Sequence, residues 1–135
     1  MRSFFSAGYR TWAFNLAALI LRIGGAVLMM PHGYDKLVNF KQYSQNFMHF
    51  LGFSGTVSLG LVVFAEFFCS ILVILGLATR LAVIPLIIDT FVALAIAHNF
   101  DFFGKGEHAA LFLTIFLAIL FVGPGKISVD GMINK

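Results

Sequence analysis

Residues 57–77 run VSLGLVVFAEFFCSILVILGL, and these 21 positions hold one charged side chain, Glu66. As an α-helix rising about 1.5 Å per residue, the run spans about 32 Å, enough to cross a hydrocarbon core of about 30 Å. Lipid offers no partner to backbone N–H and C=O groups, so a crossing segment must bond within itself or close into a barrel. Barrel strands are about 10 residues long and alternate apolar with polar side chains. This stretch does neither. The spacing predicts a membrane helix.

The same arithmetic extends outward. Segments 12–31, 81–98 and 108–122 are apolar over roughly 15–20 residues each, close to what a span needs. The whole chain is 60% hydrophobic and 11% charged, where soluble domains carry about 45–50% and about 25%. Nine basic and six acidic residues in 135 could not cover a soluble fold. The sequence therefore predicts an all-α integral membrane four-helix bundle, a single four-span domain over residues 1–135. No length is left for a separate soluble catalytic domain.

The basic residues form no stripe, which argues against a nucleic-acid partner. Cys69 is the one cysteine and sits in an apolar run, so intrachain dithiol chemistry is excluded and packing is its expected role. Arg2 and Arg10 precede an apolar stretch beginning at Trp12, as in a signal peptide. Arg22 interrupts that stretch, and no small-residue cleavage pattern follows. We read it as a retained first span.

Arg2, Arg10, Arg80, Lys126 and Lys135 lie at the termini or in the link between spans two and three. Lys36, Lys41 and Lys105 lie in the other two connections. That bias orients both termini toward the cytoplasm. Between spans one and two, Phe40, Tyr43, Phe47, Phe50 and Leu51 recur at helical spacing opposite Lys41, Gln42, Gln45, Asn46 and His49. The pattern predicts an amphipathic interfacial helix over about 38–51, serving either as an anchor or as a lid on the bundle.

Ionisable groups inside a span are costly and turn toward the bundle interior, where they find partners. Arg22, Glu66 and Asp89 qualify, and Asn15, Ala18, Arg22, Ala26 and Met29 form the stripe of span one expected to face inward. With spans ending near His32 and His98, each lies about 14 Å below the same non-cytoplasmic surface. A shared layer and an Arg22–Glu66 ion pair follow, with Asp89 as a second acceptor or a protonated carboxyl. Asp89 also lies close to Pro85 and could serve the backbone loosened there. Two roles suit the layer: fastening the helices, or forming a polar ligand or proton-relay site.

A second group gathers toward the surface: His32, Lys36, His49, His98, Asp101, Glu107 and His108. Their spacing matches no compact metal signature such as H-E-x-x-H, and no metal site is assigned. His32, Lys36, His98 and Glu107 are read as the mouth of a cavity. Glu107 with Leu111, Thr114 and Ala118 marks the face of span four expected to point inward.

Several of these residues form a wider pattern. Leu21-Arg22-Ile23-Gly24, His32-Gly33 and Lys36-Leu37 are followed by Glu66, then Gly76-Leu77-Ala78-Thr79-Arg80. His98, Gly106-Glu107 and Gly123-Pro124-Gly125-Lys126-Ile127-Ser128-Val129-Asp130 complete it. The chain resembles the DoxX family of small four-helix bacterial membrane proteins over about residues 16–131. The resemblance implies multi-pass residence in the bacterial inner membrane. It also implies a redox theme, since relatives include the DoxD-type subunit of thiosulfate:quinone oxidoreductase and proteins that assist redox maturation. Arg22, His32, Lys36, Glu66, Arg80, His98 and Glu107 are the family-pattern polar residues, and Asp89 stands outside that pattern.

The expected function is a redox-associated membrane subunit with a quinone-like or apolar ligand between its helices. Catalytic residues are unassigned, and any activity would belong to a membrane oxidoreductase system. Implied partners are the lipid bilayer, a membrane or soluble redox protein, and a second copy of the chain. The competing readings are a non-catalytic scaffold and a small-molecule or proton transporter.

Overall fold

The computed structural model describes residues 7–97 and 99–133, and among them all regular structure is helical. Helix α1 (Thr11–Val38) is followed by a short α2 (Phe40–Ser44), then α3 (Gly55–Leu75). Helix α4 (Thr79–Val92) continues as a π-helical stretch, Ala93–Ala97, before α5 (Glu107–Val122) and a short α6 (Val129–Ile133). Helices α1, α3 and α4 are long and apolar enough to cross a membrane, and α5 is apolar but only 16 residues long. The four pack as a helical bundle, with α4 on α5 and α1 on α3 as its closest pairs.

Helix α1 differs from the expected first span. It continues through Pro31 to Val38, because a proline is tolerated in a membrane helix when neighbouring helices support it. Its end is closed by Asn39, whose Nδ2 donates to the Asp35 carbonyl and carboxylate, both at 3.0 Å. The expected interfacial helix over 38–51 is also broken. Only Phe40–Ser44 is α-helical, and a 3-10 turn, Phe50–Gly52, follows after an irregular stretch. Leu51 there takes a left-handed backbone (φ 53°) and points outward.

Helix α3 starts at Ser54, whose Oγ accepts from the Val57 N–H. It stops at Gly76, which adopts φ 72° and lets Leu77 N–H reach back to the Leu72 carbonyl at 2.9 Å. Between these ends, Phe64–Cys69 widens into a π-helical turn, a distortion that favours functional sites.

The buried interior is apolar: Ala26 and Met29 of α1, Val73 of α3, Leu86 of α4, and Phe116 and Ile119 of α5. Large apolar side chains also cover the outside, among them Ile20, Leu28, Leu81 and Phe121. A soluble protein would not expose them in such numbers, whereas lipid accepts them. The face expected on α1 holds: Ala18, Arg22, Ala26 and Met29 are buried together.

Candidate functional site

The polar centre of the bundle is a row of three side chains from three helices. Lys36 Nζ of α1 lies 2.6 Å from Glu66 Oε1 of α3. Glu66 in turn faces the Asp89 carboxyl of α4. Each position has a local cause. A Cβ on Gly33 would stand 2.6 Å from the Glu66 carbonyl carbon and from the Phe67 nitrogen, so only glycine lets α1 approach α3 so closely. Lys36 follows Gly33 by three residues, and helical side chains lean toward the N-terminus, which brings its ammonium back to Glu66.

Glu66 lies in the π-helical turn, and the Ser70 hydroxyl donates to its backbone carbonyl at 2.7 Å. Near Pro85, the carbonyls of Leu86 and Ile87 accept from the Thr90 hydroxyl. Asp89 faces Glu66 instead.

Asp89 also stands in the wall of a cavity of about 260 Å³ between α3 and α4. Ser58, Leu61, Phe64 and Ala65 come from α3, and Pro85 and Ile88 from α4. Phe47, Met48 and Phe50 roof it from the connection between α2 and α3. The roof is held by Ser58, whose Oγ accepts from the Phe50 N–H at 2.9 Å and donates to the Phe53 carbonyl at 3.4 Å. With Ser58 engaged, the Asp89 carboxyl is the polar group available to an occupant. Leu61, Phe64 and Ile88 line the cavity yet are 45%, 50% and 49% exposed on the outer surface. The cleft therefore opens sideways, toward lipid.

Arg22 is not part of this site. The expected Arg22–Glu66 pair is absent, because α1 is displaced along its axis relative to the expected register. Arg22, only 2% exposed, meets the other end of α3. Its Nη2 donates to the Ile74 carbonyl at 3.3 Å, and Nη1 donates to Pro124 and Ile127 carbonyls at 2.9 and 2.8 Å. It ties the last turn of α3 to the C-terminal segment.

Other contacts close the same end. Asn15 Oδ1 accepts from Lys126 N–H at 3.0 Å. The guanidinium of Arg80 donates to the Leu120 and Phe121 carbonyls at the end of α5. The Asp130 carboxylate caps α4, accepting from Ala78 and Thr79 N–H at 2.8 and 2.9 Å. Desolvation pushes the Asp130 carboxyl up, but those N–H bonds and the charge of Arg22 outweigh it and hold the group below the usual carboxylate range.

The expected cavity mouth is only partly assembled. Lys36 belongs to the polar row. His32 is exposed and meets the Phe112 ring edge-on at 5.8 Å between centroids. His98 lies outside the described residues. Glu107 is exposed, and its face of α5 turns outward: Leu111 is exposed as well, while Ala109, Phe116 and Ile119 face the core. Glu107 and Leu111 line a separate open groove beside Phe102 and Phe103. Among the described residues, no three His, Cys, Asp or Glu side chains are placed to hold a metal ion.

Two features escaped the sequence. One is the roof of the cleft, whose Phe47 and Phe50 the periodicity assigns to one face of a helix. The other is the Tyr43 hydroxyl, which donates to Asp35 Oδ2 at 2.8 Å. That hydrogen bond and the Asp35 charge push the phenol above its ordinary value.

Comparison with known proteins gives a consistent picture. The family profile for DoxX matches residues 17–99, which include all three members of the polar row. The inner membrane protein YqjF of Escherichia coli K12 is 28% identical over 127 residues, covering 90% of this chain and 95% of that protein. No solved structure gives a significant match.

Proposed function

The chain belongs to the DoxX family of inner-membrane proteins, and from that premise we propose that its α3–α4 cleft binds an apolar, quinone-like molecule drawn from the bilayer. The observation that carries the reading is the cleft itself, apolar apart from the Asp89 carboxyl and the already engaged Ser58 hydroxyl, and open to the lipid side. A dry cavity of about 150 Å³ accepts benzene. A cleft of about 260 Å³ accommodates a substituted six-membered ring, with a tail leaving past Leu61 and Ile88. A quinone supplies two-electron redox chemistry when bound.

The contribution of this chain is polar and positional. Two carboxyl groups facing each other away from water hold one proton between them, because two like charges there are costly. That proton, between Asp89 and Glu66, can be presented to a carbonyl oxygen of the ligand. Lys36 offsets the charge of Glu66, and its side chain is 25% exposed, so the row runs from the cleft toward water. With both termini cytoplasmic, that water lies on the opposite, non-cytoplasmic side. Cys69 is buried in the core, so electrons for such a ligand come from a partner protein.

Solvent extraction of the gently solubilised protein tests this reading. Quinone retained in stoichiometric amount, and lost on Ala65→Phe filling of the cleft, supports it; protein that retains none and binds no added short-chain quinone sinks it.

A second reading, a scaffold without catalysis, draws on the groove beside Glu107, where Phe103 is 97% exposed. A partner seated there would cover an aromatic surface that α5 itself leaves bare. Phe103→Ser that releases a copurifying subunit without emptying the cleft would favour it.

A further inference from the structure

The polar row carries more acid than base. Asp89 and Glu66 bring two carboxyl groups face to face, and among the described residues Lys36 is the ammonium that bears on them, paired with Glu66. Among the described residues, the charged groups that bear on Asp89 are Glu66 from α3 and Lys36 from α1, and the remaining described residues of the cleft wall and roof carry no titratable group. With one proton on the carboxyl pair the row is neutral. Without it the row is one positive charge short, in surroundings where an unpaired charge is costly.

That missing charge faces a cavity. Phe47, Phe50 and Phe64 line it, and aromatic faces attract cations most strongly where water is excluded. The opening at Leu61, Phe64 and Ile88 admits a ligand with an alkyl chain left in lipid. We propose that the cleft takes an amphiphilic organic ammonium, its head in the cavity beside Asp89, in exchange for the proton held by the Asp89–Glu66 pair. The exchange balances. Before it, Lys36 and Glu66 cancel and Asp89 is neutral. Afterwards the ammonium cancels the charge of Asp89, and one proton has gone to water. This shares the cleft with the quinone-like reading but requires the opposite protonation state of Asp89, so the two stand or fall separately.

The test uses the full chain in lipid nanodiscs, with empty nanodiscs as the partition control. The probe is decyltrimethylammonium, whose charge does not titrate, with decanol as its neutral counterpart and a short-chain benzoquinone as the neutral ring. The expected result is saturable binding of the ammonium with release of about one proton. Its affinity should rise by up to tenfold per pH unit wherever the pair holds its proton. Asp89→Asn is expected to lose at least tenfold in ammonium affinity and to release no proton. Proton release by the unmodified chain gives a second readout if that variant folds poorly. Saturable binding without proton release, equal binding of decanol, or an unchanged affinity in Asp89→Asn overturns the proposal. If the benzoquinone binds and the ammonium does not, this proposal fails and the quinone-like reading survives; if neither binds, both fail.

Discussion

Lys36, not Arg22, faces Glu66, at 2.6 Å, and the 14 helical steps of α1 from one basic residue to the other separate them by about 21 Å. Removing one member of a buried ion pair typically costs about 3–5 kcal/mol, because the other charge is left unpaired. Here Lys36 is 25% exposed, and water screens part of that cost. Lys36→Met is therefore expected to lose about 1–3 kcal/mol, read as a lower midpoint of thermal unfolding in detergent. Lys36→Met with Glu66→Gln should recover most of it. A double variant no more stable than Lys36→Met alone would mean that the pair contributes through packing and not charge.

The closeness of α1 and α3 rests on Gly33. A methyl group there meets the backbone of Glu66 and Phe67 at 2.6 Å, and backbone cannot swing aside as a side chain can. Gly33→Ala is expected to cost about 1–3 kcal/mol by overpacking and to weaken the Lys36–Glu66 contact. Gly24→Ala is the control, since nothing lies within 4 Å of that position. It should be neutral or slightly stabilising, because alanine is the better helix former. Equal losses in the two variants would show that helix propensity, and not the approach of α3, governs Gly33.

Much of this was legible in the sequence, and the part that was not has a physical explanation. Apolar length alone identified the helices, and the small-residue stripe through Ala18, Arg22 and Ala26 correctly gave the buried face of α1. Depth was the failure. Taking Pro31-His32 as the end of the span put Arg22 at the level of Glu66, whereas α1 runs on to Val38 and Arg22 belongs with Ile74 at the other end. Hydropathy does not resolve where along its axis a helix is cut by its neighbour. The outward turn of Glu107 was missed for a related reason: α5 is apolar almost all round, so periodicity could not choose its inner face.

The Asp130 cap on α4 gives a pH dependence with a defined sign. Its carboxyl lies below the usual range in the folded chain. The stabilisation is thus complete above the unfolded value of about 3.9 and is lost as pH falls through the lower folded value. Replacing a capping carboxylate costs about 0.5–2 kcal/mol at neutral pH. The difference in unfolding midpoint between the unmodified chain and Asp130→Ala should be constant from pH 7 to about 5 and shrink below about 4. A difference that persists undiminished at pH 2.5 would assign the effect to packing of α6.

Arg22 is a fastener by geometry: its fork reaches three carbonyls, two of them in the C-terminal segment. A lysine has a point charge and no fork, so Arg22→Lys cannot meet all three from one position. The expected outcome is faster proteolytic cleavage within residues 124–133, with α1 and α3 still protected. Cleavage at an unchanged rate would mean that Asn15 and Asp130 suffice to hold the segment.

The roof of the cleft depends on one hydroxyl. Ser58 accepts from the Phe50 N–H and donates to the Phe53 carbonyl, so Ser58→Ala leaves that N–H unpaired beside an apolar cavity. A lost neutral hydrogen bond of this kind is worth about 0.5–1.5 kcal/mol, enough to raise the open population of the roof roughly tenfold at the upper end. Amide exchange at residues 47–53 should quicken accordingly, while exchange in the middle of α5 stays as it was. The substitution leaves Asp89 and Glu66 untouched, so a ligand of the cleft should leave faster without losing its proton linkage. Unchanged exchange at 47–53 would locate the hold on the roof elsewhere, at Gly55, where a Cβ would press on the Ser44 and Phe47 carbonyls at 2.6 and 3.2 Å.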